Sequence, residues 1–561
     1  MATTVYPGNP SLAQRYLRIT EIMYHPAPLT GNTNNVEEFE YVELKNIGPQ
    51  VLDLRGVRFT RGIDFDFTSS AVTILPPGAA VLVVRNPVAF AARYGTGFNI
   101  AGQYTGALDN GGETIRLEDA AGEKILEFAY DSSWYPVTDG LGFSLVIVNE
   151  AAPWQTWGDK ESWRASSVVN GSPGTGEAAP NIPAILVNEL LTHTDPPQVD
   201  AIELFNPNSA DVNIGGWFIS DDPGRPKKFR IPDPTVIRAG GYQVFTEADF
   251  NATPGVGTSF AFRSTGDEAW LFSGDANMNL TGYSHGFRFG AAQNGETFGR
   301  YVTSAGEEQF PAQRSDTIGS ANSGPLVGPV IITEILYHPA SGGDEFVELM
   351  NITSTNVPLF FPSIPTNTWR LSGLGFSFPT NVTLGPNQLL LVVATDPGKF
   401  RSKYSVPASV AVFGPFTGLL QDDGESLELQ RPDTPDTNGI PYITVEAVRY
   451  SNVVPWPVGA DGTGGSLQRR VSAEYGNDPS NWIAAPATPG IDNTSSLPLE
   501  LHVSRSGTSM TLSWNPSVTG YILESADQIP SGSWDAVSGV ANSSVSVTPA
   551  SGNRFYRLRK L

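Results

Sequence analysis

Cysteine is absent from all 561 residues, so neither a disulfide framework nor a cysteine zinc site can form, and cysteine nucleophiles are excluded with them. Methionine is scarce, at 5, and sustained runs of helix-favouring residues are missing. No apolar run approaches the roughly 20 residues that span a bilayer, so membrane insertion is not expected. The opening "MATTVYPGNPSLAQRY" lacks a basic region followed by an apolar one, and its abrupt Pro/Gly/Asn-containing start is what a piece of a longer polypeptide would show. Positive charge is also short: 34 Lys and Arg against 57 Asp and Glu give −23, and no stretch concentrates cations as a phosphate-binding face requires. Nucleic acid is therefore not an expected partner.

What is plentiful is glycine, at 58, and proline, at 45, which suits many short strands joined by turns. An all-β chain is expected, and its length suggests three or four domains of ordinary size.

One phrase recurs. "RITEIMYHPA" from Arg18 returns as "VIITEILYHPA" from Val330, with a blurred copy, "ILVNELLTHTDPP", from Ile185. The match continues in order, which separates a repeat from a coincidence. "FEYVELKNIG", "VDAIELFNPN" and "DEFVELMNIT" follow, and Glu21 to Asn46 spans 25 positions where Glu189 to Asn206 and Glu334 to Asn351 each span 17. The first copy thus carries eight extra residues, in the polar loop "LTGNTNNVEE". Then "LPPGAAVLVVRNPVAFAARYG" matches "LGPNQLLLVVATDPGKFRSKYS": a turn, a buried strand and a Pro-started helical turn near a Tyr. Polar Gly turns followed by strand-period alternation come next, at Leu108, Arg263 and Leu420. Copies one and three close with "WYPVTDGLGFSLVIV" and "WPVGADGTGGSLQRR" and end in Pro173-Gly174 and Pro489-Gly490. The units run over residues 17–176, 183–325 and 329–493, after a leader of 1–16 and with linkers "GEAAPNIP" and "NSGPLVGP" between them. Residues 497–561 read as strands of a small sandwich with Trp514 and Tyr521 in its core.

The strand ending in "EIMYHP", the "E-F/Y-V-E-L-x-N" strand, the "G-E-x-L/I-x-L" hairpin and the "W-P-x-x-D-G-x-x-S-L" stretch before a final "TPG" together resemble the lamin-tail domain of bacterial exported proteins. The last 65 residues or so look like a truncated fibronectin type III-like module. The resemblance implies tandem immunoglobulin-like β-sandwiches, beads on a string, in a secreted or cell-surface protein. Nuclear lamin tails are linked to binding of proteins and DNA; the acidic charge here argues against DNA.

Three of the five histidines, His25, His193 and His338, stand four residues after Glu21, Glu189 and Glu334, which raises a metal site with Glu43, Glu203 or Glu348 as a further ligand. Strand geometry argues against it. Positions four apart stand roughly 13 Å apart. Alternation of Val42 and Leu44 around Glu43, and of Val347 and Leu349 around Glu348, turns the second carboxylates outward, so the ligands should diverge. The favoured reading is structural: Glu accepts hydrogen bonds from loop backbone and His tethers the loop. Trp134, Tyr135 and Trp456 are candidate ligand-contact aromatics, although Trp beside Pro more often covers a core. Asp139-Gly140, Asn294-Gly295 and Asp461-Gly462 read as turns.

No cofactor is expected. Calcium is suggested only by "DANMNLTG", where Leu280 replaces the required Gly and Gly286 the bidentate Glu of an EF-hand loop, so a hairpin tip is expected there. No G-x-S-x-G, H-E-x-x-H, phosphate loop or dinucleotide fingerprint occurs, and a non-enzyme is favoured. The expected role is a binding or spacer segment for protein or neutral glycan; its rivals are a carbohydrate-binding accessory region of a secreted polysaccharide-degrading enzyme and a cryptic hydrolase.

Overall fold

Alternating apolar residues in the repeated phrases build sheets that pair into sandwiches. A computed structural model describes residues 9–29, 31, 35–176, 179–437, 439–494, 501–506, 509–514, 521–528, 534–540, 544–548 and 554–560. The chain divides into two compact units, one reaching Leu326 and including Pro432–Thr444, the other formed by Val327–Arg431 and the residues from Val445 onward.

In copy one, six strands lie in the order Trp163–Ala165, Leu145–Ile147, Leu17–Met23, Tyr41–Asn46, Ala80–Val84, Ile100–Gln103; only the last pair is parallel. A second sheet orders Lys124–Ala129, Thr114–Glu118, Arg58–Arg61, Phe65–Asp66. Copy three repeats both orders with Trp482–Pro486, Gly465–Arg469, Val330–Leu336, Phe346–Asn351, Leu389–Val393, Ala411–Phe413 and with Tyr442–Ser451, Gly424–Pro432, Arg370–Ser372, Phe376–Ser377. Copy two keeps the central four, Thr297–Gly299, Leu186–Leu191, Ala201–Phe205 and Tyr242–Thr246, over a four-stranded second sheet. The fold is all-β, a series of immunoglobulin-like sandwiches.

The first two strands of each copy pair in one register: Ile22 with Val42, Leu190 with Ile202, Ile335 with Val347, all fully buried between the two sheets. Each first strand is also bulged, at Thr20, Asn188 and Thr333. A bulge inserts one unpaired residue and reverses the alternation beyond it. Leu17 and Ile19 point into the sandwich, and past the bulge so does Ile22, while Glu21 is moved to the opposite face.

That opposite face is covered rather than solvated. In copy one the Pro-started helix Pro87–Tyr94, capped by Asn86, sets Phe90 edge-on to Tyr41 at 5.8 Å between ring centroids. In copy three Pro397–Tyr404, capped by Asp396, sets Phe400 against Phe346 at 5.6 Å. Burying both faces of a sheet is why the first two strands read as near-continuous apolar text.

Copies one and two also pack on each other. Val137, Phe143 and Ala165 of copy one join Phe218, Trp270 and Phe272 of copy two in one buried cluster, with Tyr135, Leu141 and Leu280 at its rim. Counting from Asp139-Gly140 to Asp461-Gly462, the copy-three residues equivalent to Val137, Leu141 and Phe143 are Gly459, Thr463 and Gly465. The seam is thus written in three side chains that the third copy lacks. Near the C-terminus two three-stranded sheets enclose Leu512, Trp514, Leu523 and Val545. The side chain of Tyr521, the other aromatic expected in that core, lies outside the described residues.

Candidate functional site

The bulge decides where the repeated glutamates meet. Glu21 is the register partner of Glu43, Glu189 of Glu203, and Glu334 of Glu348, so each pair stands side by side on the covered face. The expectation that these carboxylates diverge is therefore corrected: strict alternation would separate them, and one extra residue in the first strand brings them together. Glu43 and its counterparts do point away from the sandwich core, but into a second buried layer, not into solvent.

Both carboxylates grip the end of their own copy. Glu21 accepts hydrogen bonds from the Ser172 N–H (2.8 Å), Ser172 Oγ (3.2 Å), Ser144 Oγ (2.5 Å) and Tyr41 OH (2.6 Å). Glu334 accepts from the Thr488 N–H (2.9 Å), Thr488 Oγ1 (3.3 Å), Ser466 Oγ (2.5 Å) and Asn493 Nδ2 (2.9 Å). Glu189 accepts from the Thr317 N–H (2.9 Å), Thr317 Oγ1 (2.6 Å) and Thr297 Oγ1 (2.6 Å). The second carboxylate takes the glycine two residues on: Gly174 N–H donates to Glu43 and Gly490 N–H to Glu348, at 2.6 and 2.7 Å, and Gly319 N–H donates to Glu203. The bulge residue completes the set, Thr20 Oγ1 to Glu43 (2.6 Å), Asn188 Nδ2 to Glu203 (2.7 Å) and Thr333 Oγ1 to Glu348 (2.9 Å). Each glycine has positive φ, which favours glycine at the turn.

The motif is thus a clasp: a first-strand Glu, a second-strand Glu and a terminal Ser/Thr-x-Gly turn. Sequence reading found the Pro-Gly turns of copies one and three but missed Thr317-Ile318-Gly319, where Ile replaces Pro. It also missed the hydroxyl donors Ser144, Thr297 and Ser466, although "F-S-L" and "G-S-L" stand at matching places in copies one and three. The Asn of "E-L-x-N" closes the next turn: Asn46 donates to the carbonyls of Gln50 and Leu75, and Asn351 to those of Thr355 and Leu384.

The histidines lie elsewhere. His25 Nδ1 meets Asp139 Oδ1 at 2.5 Å and His338 Nδ1 meets Asp461 Oδ1 at 2.6 Å, while His193 Nδ1 faces the Ala292 carbonyl at 2.7 Å. The following glycines return a backbone bond, Gly140, Gly295 and Gly462 N–H to the carbonyls of His25, His193 and His338. The Asp-Gly pairs are turns as expected, with the Asp also orienting the imidazole. Glu and His of one phrase serve two separate contacts, and among the described residues no group of three or more His, Asp or Glu is placed to hold a metal ion. Asp275 accepts from the Asn277 and Asn279 N–H groups (2.9 and 2.8 Å), a hairpin tip.

The aromatic candidates are corrected in part. Trp456 is buried in the copy-three core and offers no face to a ligand. Trp134 and Tyr135 are half-buried against the copy-one core, and Tyr135 OH donates to the Trp163 carbonyl at 2.9 Å. Of the inserted loop after His25, residues 30 and 32–34 lie outside the described residues.

Burial pushes the Glu43 and Glu203 carboxyls up to about 7, and burial together with neighbouring Glu334 pushes Glu348 up to about 8. A folded-state pKa above the unfolded 4.5 means that the native chain holds protons the unfolded chain has released. Stability is then greatest at acidic pH and falls as pH rises through the window from 4.5 to about 8. Glu308 has the opposite sign: burial opposes its ionisation, but hydrogen bonds from His285 and Arg300 hold it down to about 2, so its contribution is lost only in stronger acid. Calorimetry at constant ionic strength should therefore give a melting temperature several degrees higher at about pH 5 than at about pH 8.5.

Comparison with protein families matches the lamin tail domain to residues 10–132 and 178–286, the first covering most of copy one through its second-sheet strand Lys124–Ala129 and the second most of copy two. Those segments are similar to an immunoglobulin-like domain family. Comparison with curated proteins gives no match.

Proposed function

We propose that this chain is a non-catalytic binding and spacer segment of a secreted or cell-surface bacterial protein, holding partner domains apart and engaging protein or neutral glycan through loops at the sandwich ends. The observation that carries this reading is the use of the repeated polar residues. In all three copies the buried carboxylates are held by donors of their own chain, which leaves the loops as the variable surface. The packed seam between copies one and two supports the spacer half, because a shared apolar cluster makes two sandwiches move as one. Parent-protein enzymology, duplex DNA binding and a fibronectin-like C-terminal role are not required by it.

The test is to give copy one the residue of copy three. Phe143→Gly empties the centre of the seam while leaving each sandwich its own core. The expected result is separate melting of the two copies and faster limited proteolysis in the linker at residues 177–184. Unchanged cleavage and a single transition would refute the rigid pair. A glycan array run with the parent chain separates the partner classes, and strong neutral-oligosaccharide binding would favour the accessory role in polysaccharide degradation.

A further inference from the structure

The seam between copies one and two leaves a cleft of 410 Å³, within the roughly 300–1,000 Å³ range of ligand pockets. One wall comes from copy one, Ala27, Gly140 and Leu141; the other comes from copy two, Arg225–Lys228, Gly257, Thr258 and Leu280. Neither sandwich forms it alone. In a chain of charge −23 this wall carries three cations within four residues, "RPKK".

Their partners set what the cleft can bind. Lys228 is neutralised by an ion pair with Asp221. Arg225 donates one N–H to the Gly257 carbonyl at 2.7 Å, which fixes the guanidinium without cancelling its charge. Lys227 is exposed and has no carboxylate within ion-pair distance among the described residues. Asp275, the acid whose charge it feels, already accepts from Asn277 and Asn279. On the copy-one side, Asp139 beside Gly140 is taken by His25. Two uncompensated cations therefore stand next to aliphatic surface from Ala27, Leu141, Pro226 and Leu280, and among the described residues no aromatic ring lines the cleft as a sugar-stacking platform.

We propose that this cleft binds a short peptide segment presenting a carboxylate beside an aliphatic side chain, with the carboxylate against Lys227 and Arg225 and the aliphatic group against Leu141, Pro226 and Leu280. The charge complementarity is local. The net charge of −23 repels long polyanions, whereas a single carboxylate feels the two nearby cations at close range. A fixed guanidinium lowers the ordering cost of binding. This assigns a site that the spacer reading leaves open, and it stands or falls on the titration below whatever the linker proteolysis shows.

The experiment is calorimetric or NMR titration of the whole chain with four probes: N-acetyl-Ala-Leu with a free carboxylate, its C-terminal amide, N-acetyl-Asp-Leu amide, and glucuronate. At least one carboxylate peptide should saturate, with the uncharged amide about tenfold weaker. Tighter binding of the first assigns a chain terminus as the natural source, and tighter binding of the third an acidic side chain. Lys227→Gln with Arg225→Gln should weaken the better peptide by a further factor of about ten with an unchanged melting temperature. Leu141→Thr, the copy-three residue, should weaken it through the apolar wall. The proposal is overturned if no peptide saturates, if the amide or glucuronate binds as tightly as the acids, or if binding survives the double replacement.

Discussion

Replacing Arg469 by methionine is expected to destabilise the second unit by about 3–5 kcal/mol, because it strands a buried carboxylate. Arg469 is fully buried and Glu446 nearly so, and Arg469 Nη1 donates to Glu446 at 2.5 Å and to the Ile332 carbonyl at 3.1 Å. The Ile332 N–H also donates to Glu446, and Arg469 Nη2 donates to the Glu474 carbonyl at 2.5 Å. Copy one performs the same packing without charge. Leu145 and Leu467 pair with Ile22 and Ile335, so Arg469 stands where copy one has Ile147. The ring pairs Tyr24–Tyr130 and Tyr337–Tyr450 likewise place Glu446 where copy one has Leu126. Desolvating two ions costs several kcal/mol each, and the attraction between them roughly returns it, so an apolar pair of similar volume can be as stable. Glu446→Leu alone should cost as much as Arg469→Met, and Glu446→Leu with Arg469→Ile should recover most of the loss. Denaturant unfolding of the four chains measures this, and a double variant no better than the singles would refute the equivalence.

The same conservative change is expected to have opposite outcomes at two register-paired residues. Glu334→Gln should cost about 2–4 kcal/mol at neutral pH, whereas Glu348→Gln should cost little. Glu334 receives bonds from Ser466, Thr488 and Asn493, more donors than one amide oxygen can satisfy, and a glutamine would turn its own NH₂ toward them. Among the described residues the Glu348 carboxylate accepts only from the Gly490 N–H and Thr333 Oγ1, and burial beside Glu334 pushes it up to about 8, so glutamine imitates the protonated form it already holds. Glu348→Gln should also flatten the pH dependence of the second unit between about pH 5 and 8, which general self-repulsion of an acidic chain would leave in place. Melting curves of both variants across pH decide this. Elemental analysis beside them should show no change in metal content, and a stoichiometric ion lost in Glu334→Gln would overturn the clasp.

Much of this was legible in sequence because it is local. Strand period, Pro-started helical turns at Pro87 and Pro397, Asp-Gly turns at Gly140 and Gly462 and the order of repeated phrases all depend on neighbours a few residues apart. Sequence also assigned Glu21, Glu189 and Glu334 to loop backbone. It could not see the bulge at Thr20, Asn188 and Thr333, since a single unpaired residue leaves no mark in a run that is apolar on both faces. With the bulge unseen, the first-strand glutamates were not placed beside their partners on the second buried face, and Trp456, for which core packing was the favoured reading, proves to lie in the copy-three core.

What the sequence determined by itself is the unit: an all-β sandwich written three times, each copy carrying the Glu and Asn that shape its turns. What only the tertiary structure decided is how side chains far apart in the chain converge. Glu21 meets Ser172 across 151 positions, Glu446 meets Arg469 from another strand, and Phe143 meets Trp270 in a second sandwich. The physical reason is that turns and strand period are set by short-range backbone sterics, whereas register, bulges and docking are set by which buried groups can satisfy one another once the sheets have closed.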